Sequence, residues 1–204
     1  AKAFLITFAL SSKKILFSLV LSFFTIISFS QEMVEVNTDA SRLMWTGSKL
    51  TSSHQGEIKL KSGALEIKDG KLVGGRFLID MTSIKNTDIE DEKSRNKLER
   101  HLKDKDFFGV DKHPESQLKI TKAVPVNKED YKIIADLTIK EITHSITFSA
   151  NVRIDNDAFL ATSIIKFDRT KWDIKYNSKS FFEDLGDYMI LDEIELKLFL
   201  LSEK

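Results

Sequence analysis

The chain carries four histidines, 31 acidic and 31 basic residues and no cysteine, so spacing alone already limits acid–base, metal and phosphate chemistry. His54, His101, His113 and His144 are scattered, and none stands at a spacing that would share a strand or helix face with another histidine or a carboxylate. That pattern suits solvent-facing or capping histidines, and any metal site would have to be assembled in three dimensions. The run Asp88, Glu90, Asp91, Glu92 lacks the central glycine and closing glutamate of a calcium loop and reads as the acidic start of a helix. Gly63 and Gly70-Lys71 imitate a phosphate loop. Their spacing is too long, however, and Leu72 stands where a magnesium-binding hydroxyl is needed. Neither a G-x-S-x-G elbow nor a G-x-G-x-x-G turn occurs. Without cysteine there is no disulfide, thiolate metal site or cysteine nucleophile. These residues predict a protein that is not an enzyme and that uses neither a cofactor nor a metal.

The elements that would position any site are strands. Ile194, Leu196, Leu198 and Leu200 share one face while Glu193, Glu195 and Lys197 share the other, as a strand between core and water requires. Ile146, Phe148, Ala150 and Val152 alternate in the same way with Thr147, Ser149 and Asn151, and Ile133, Ala135, Leu137 and Ile139 form a third apolar face. Asp69-Gly70, between Leu65-Glu66-Ile67 and Leu72-Val73, is the pair that a type I′ hairpin favours, because both turn positions need positive φ. Leu43 to Ser48, Gly75 to Met81, Gln117 to Val124 and Phe159 to Phe167 are further strands. Short strands joined by tight turns predict an all-β barrel or sandwich.

Two stretches break the rhythm. Asp88 to Lys105 reads as a helix, acidic at its start and basic at its end, with Leu98 and Leu102 one turn apart as a sparse apolar stripe. Ser180 to Leu185 reads as a second short helix stopped by Gly186. A small barrel either fills its interior or keeps room for one ligand, and alternation does not choose between these; a filled core is the commoner outcome and would make the protein a stress or protein-interaction module with no small ligand.

Lys13-Lys14 followed by the apolar run Ile15 to Phe29, with Ser28 and Ser30 before Gln31, has the pattern of a secretory signal. The run is shorter than the roughly 20 residues of a membrane-spanning helix and contains Ser18, Ser22, Thr25 and Ser28. Residues 1–30 are therefore expected to be a cleaved signal peptide, with residues 31–204 forming one exported domain. Lys2, Lys13 and Lys14 are the only charges before Glu32, so that domain is mildly acidic and gives no reason to expect nucleic acid.

Several segments together resemble the YceI-like family. They are Trp45-Thr46-Gly47-Ser48 with His54-Gln55-Gly56; Gly74-Gly75-Arg76-Phe77 with Ile79-Asp80-Met81-Thr82-Ser83-Ile84; and His101-Leu102-Lys103-Asp104-Lys105-Asp106-Phe107-Phe108 with His113-Pro114. Asp136-Leu137-Thr138-Ile139-Lys140 before Thr143-His144, Asp168-Arg169-Thr170-Lys171-Trp172, and Leu185-Gly186-Asp187 complete the set. The order is the family's over nearly all of residues 32–202. Lys140-Glu141-Ile142-Thr143 departs from the family's more usual basic-glycine turn, and Ser94-Arg95-Asn96-Lys97 departs from it on the helix.

The resemblance implies a lipocalin-like antiparallel β-barrel of about eight strands with one inserted α-helix and a short second helix. It also implies an apolar pore for a polyisoprenoid, an isoprenoid quinone or a similar long-chain amphiphile, held for transport, storage or sequestration in the periplasm. Transient membrane contact and a monomer or homodimer fit that role. Trp45 and the Phe107-Phe108 pair are candidate mouth contacts, equally readable as plain core aromatics. Phe77, Ile79, Leu137, Ile146, Phe148 and Trp172 are the remaining candidate ligand contacts. Arg169 with Asp168 is expected to form a structural ion pair near a barrel end.

Overall fold

In the computed structural model, residues 31–156 and 158–203 are described. The predicted signal segment, residues 1–30, lies outside them. Nine strands run in chain order: β1 (Gln31–Glu35), β2 (Arg42–Lys49), β3 (Ser53–Lys68), β4 (Lys71–Asn86), β5 (Glu115–Pro125), β6 (Asp130–Ile139), β7 (Ile142–Asp155), β8 (Ala158–Asp168) and β9 (Ile190–Leu201). Every neighbouring pair is antiparallel, and β3 pairs with β4, which closes the sheet on itself. The barrel has eight positions rather than nine. Both β1 and β2 pair with β3, β1 against Ala64–Lys68 and β2 against Ser53–Ile58, so together they fill one position interrupted at residues 37–41.

The alternation expected for β6, β7 and β9 is present, with Ile133, Ala135, Leu137, Val152 and Leu200 buried in the barrel core. The Asp69-Gly70 turn has φ of 52° and 69° and joins Lys68 to Lys71 as a two-residue hairpin, as that residue pair dictates. Lys140 and Glu141 make the same kind of turn, with φ of 51° and 64° and no glycine. The first half of β3 follows a pattern the sequence carries plainly. Gly56, Ile58 and Leu60 turn inward and Glu57, Lys59 and Lys61 outward.

The helix is shorter than the charge pattern predicts. α1 spans Glu92–Lys103, capped by the Asp91 carboxylate, which accepts from the Ser94 N–H at 2.8 Å. Asp88 lies outside it because its carboxylate is already engaged by the Gln55 N–H and the His54 ring. The second short helix is displaced too. Ser180 to Leu185 forms turns and bends, and a 3₁₀ turn follows at Gly186–Tyr188, with another at Arg169–Trp172. The α1 connection, the β8–β9 connection and the Lys140-Glu141 turn all lie at one end of the barrel, the upper end. Among the described residues no helix is long and apolar enough to cross a membrane.

Candidate binding cavity

The barrel is hollow. An upper chamber of about 180 Å³ is stacked on a lower one of about 80 Å³. Ile79, Leu118, Leu137, Ile165 and Leu196 border both and form the waist between them. Well-packed interiors hold few voids larger than a water molecule, whereas an apolar cavity of roughly 150 Å³ stays dry and admits benzene. The stacking of the chambers favours an elongated apolar guest.

The upper chamber is roofed by α1 and the turn after it, which contribute Leu98, His101, Leu102, Phe107 and Phe108 to its wall. No residue of α1 itself is fully buried, and a polar cluster at its base joins it to β4 through Glu99. Asn86 donates its backbone N–H to Glu99 at 2.8 Å and its side-chain amide to the Gln55 carbonyl at 2.9 Å and to Asp88. His54 Nδ1 donates to Asp88 at 3.0 Å. Burial pushes the Asp88 carboxyl up, but the hydrogen bonds from His54, the Gln55 backbone and Asn86 outweigh it and hold the group below the ordinary carboxylate value. This latch ties β3, β4 and α1 together at the rim of the chamber.

Beside the roof, residues 169–178 form a packed plug. Arg169 is fully buried and donates to the carbonyls of Ile174 (2.6 Å), Ile190 (3.1 Å) and Leu191 (3.2 Å) and to the Asp192 carboxylate (3.4 Å). The expected pairing with Asp168 is thus replaced by Asp192. Asp168 instead caps the 3₁₀ turn by accepting from Thr170 N–H and Oγ1–H at 2.9 and 2.6 Å. Arg169 also lies over the Phe107 ring at 5.6 Å. Its hydrogen bonds all go to protein acceptors and tie the plug to β9, so it serves structure rather than a ligand head group.

Of the predicted contacts, the structure gathers seven on the cavity wall. Trp45, Phe107 and Phe108 line the upper chamber, Phe77 and Phe148 the lower, and Ile79 and Leu137 both. Ile146 and Trp172 line neither. Ile146 packs half-buried against the core. Trp172 is completely buried, its indole N–H donating to the Leu137 carbonyl at 3.2 Å and its ring meeting His144 and Phe167 edge-on at 5.2 and 5.3 Å.

Trp45 owes its position to Gly56, its cross-strand partner. A Cβ on Gly56 would meet the Lys85 carbonyl oxygen at 1.9 Å and the Trp45 ring at 2.5 Å, so only glycine lets both the β4 backbone and the indole lie against this point of β3. Sequence reasoning missed Ser116, a buried wall residue on the same face of β5 as Leu118 and Ile120. The serine extends that alternation one step ahead of the predicted strand start, and this was the available signal. Among the described residues no group of three or more His, Cys, Asp or Glu could hold a metal ion.

Comparison with known proteins places this architecture. The family model of the YceI-like domain matches residues 35–200, and the chain belongs to that family. No curated protein matches the sequence. Among solved structures, Burkholderia cenocepacia BcnA is similar with a TM-score of 0.66 at 16% identity, covering 82% of this chain and 99% of its own. A polyisoprenoid binding domain from Saccharophagus degradans, implicated in plant cell wall breakdown, gives 0.61 at 12% identity over 85% and 99%. The Campylobacter jejuni YceI protein gives 0.50 at 19% over 66% and 75%. At these identities the likeness establishes the fold.

Proposed function

We propose that this YceI-like protein holds one long-chain lipid, an isoprenoid, an isoprenoid quinone or a related amphiphile, along the axis of its barrel, as a carrier or store rather than as an enzyme. The observation that carries the reading is the pair of stacked apolar chambers that share the Ile79–Leu118–Leu137–Ile165–Leu196 waist. Burying apolar surface contributes about 25 cal/mol per Å², so a chain threading both chambers gains affinity with length. Support also comes from the Saccharophagus degradans domain of the same fold, described as polyisoprenoid binding. Organic extraction of protein purified from its native compartment, followed by mass spectrometry, tests the reading. One lipid per chain is expected; repeated preparations without a stoichiometric lipid would leave a barrel with no small ligand.

The same reading places the protein in the periplasm after export, supported by the Lys13-Lys14 and Ile15 to Phe29 pattern. Amino-terminal sequencing of the periplasmic form should begin near Gln31 or Glu32. An intact chain in the membrane fraction would replace export with anchoring.

A further inference from the structure

We infer that the upper chamber recognises an oxygen atom carried by the lipid, through the Trp45 indole N–H and the Ser116 hydroxyl, so that the ligand enters oxygen-end first beneath α1 and its chain fills the rest of the pore. This rests on the occupant being a lipid, as proposed above. Trp45 Nε1 and Ser116 Oγ are buried side-chain polar atoms that find no hydrogen-bond partner among the described residues. Both residues line the upper chamber. Trp45 faces inward with Leu43 on β2, and Ser116, only 5% exposed, faces inward with Leu118 on β5.

Buried donors left unpaired are costly and rare in native proteins. Two other polar groups of this wall have protein partners. Arg169 has four acceptors, and His54 is held by Asp88. The third buried atom without a hydrogen bond, His113 Nδ1, lies off the cavity wall and has the Glu141 carboxylate at 3.8 Å. A buried water needs two to four polar partners, and a wall this apolar satisfies one poorly. A carbonyl, ether or hydroxyl oxygen on an apolar chain supplies the acceptor that the indole, a donor only, requires, while the serine can donate or accept. The lower chamber makes no such demand, since its Ser163 hydroxyl already donates to the Ser149 carbonyl at 2.8 Å.

The test uses the delipidated full-length mature protein and three probes with one carbon skeleton: a prenol, its methyl ether and the hydrocarbon lacking oxygen. Each displaces a fluorescent isoprenoid analogue. The prenol and the ether should bind about tenfold or more tightly than the hydrocarbon, the scale of one or two satisfied buried hydrogen bonds. Trp45→Phe should shrink the ether's advantage over the hydrocarbon and Ser116→Ala the prenol's, each read as the ratio of affinities measured within the same variant, so that any change in apolar contact common to all three probes cancels. Neither variant should unfold more easily without ligand, because each removes a group buried unpaired; a structurally required hydrogen bond would give the opposite. Equal binding of all three probes, unmoved by either substitution, overturns oxygen recognition while leaving the lipid reading standing. Failure of all three to bind overturns the lipid reading and this inference with it.

Discussion

The upper end of the barrel is covered by two structures of opposite character. Over one side, residues 169–178 form a plug in which Arg169, Trp172, Ile174 and Ser178 are completely buried and the guanidinium has an acceptor at each of its three nitrogens. Over the other side, α1 buries none of its residues fully, rests on the polar latch of Asn86, Asp88 and His54, and has Trp45 and Ser116 unpaired beneath it. The plug is closed chemistry and the roof is open chemistry. A barrel that must stay folded while exchanging a guest places its rigidity in the first and its freedom in the second.

The largest expected effect comes from breaking the plug. Arg169→Met takes the donor from three carbonyls and leaves Asp192 with Ser180 alone, and should cost about 3–5 kcal/mol in denaturant unfolding, the range for removing one partner of a buried ion pair. A loss under about 1 kcal/mol would show that the plug is no more rigid than the roof. Two aromatics sharpen the contrast next. Trp172→Ala should cost about 3–5 kcal/mol, because it empties a filled site. Phe148→Ala, which enlarges space already open in the lower chamber, should cost clearly less stability while weakening lipid binding by about 1.5–3 kcal/mol. Equal stability losses would assign Phe148 to packed core.

Acid should loosen the roof more than the plug, where the carboxyl held low by Lys175, that of Asp173, belongs to an exposed ion pair worth little to stability. The Asp88 carboxyl is held below its ordinary value, so its contribution is complete above the unfolded value, near pH 4, and is lost as pH falls through the lower folded value. Hydrogen-exchange protection, measured against the intrinsic rate at each pH, should therefore fall in acid more across residues 86–103 than across residues 169–178. A uniform loss of protection would remove the latch. The smallest effect concerns the Lys140-Glu141 turn. Glu141→Gly relieves a left-handed conformation and should stabilise the protein by about 1 kcal/mol, less whatever the added chain freedom costs. A loss would mean that the contact between Glu141 and His113 outweighs that strain.

The strands were legible because alternation and hairpin chemistry are local, whereas the choice of barrel over sandwich came from the family resemblance. Ile194 to Leu200 and the Asp69-Gly70 turn each carry their own geometry in consecutive residues. The helix start was misplaced because Asp88 looks like a first-turn carboxylate, and nothing near it in sequence announces that His54 and Gln55, more than thirty positions away, hold it. The Arg169 partner was misread for the same reason: Asp168 is adjacent in sequence, but Asp192 arrives on the next strand. Trp172 and Trp45 are alike as residues, and only the Leu137 carbonyl that satisfies one indole separates core from cavity wall. A missing partner, as at Ser116, is a property of three dimensions alone.

The central claim, an open pore that a lipid fills, is tested most directly at the waist. Leu196 borders both chambers and is half-buried, so Leu196→Trp places a bulky ring where the lipid chain must pass. Titration of delipidated parent and variant with a fluorescent long-chain isoprenoid, beside denaturant unfolding of both, gives the answer. The account predicts that binding weakens at least about tenfold, the loss of roughly one large buried side chain's worth of contact, while the unfolding midpoint holds or rises because the ring fills space already present. Unchanged binding together with a stability loss of about 1–3 kcal/mol, the cost of overpacking a filled core, would contradict it.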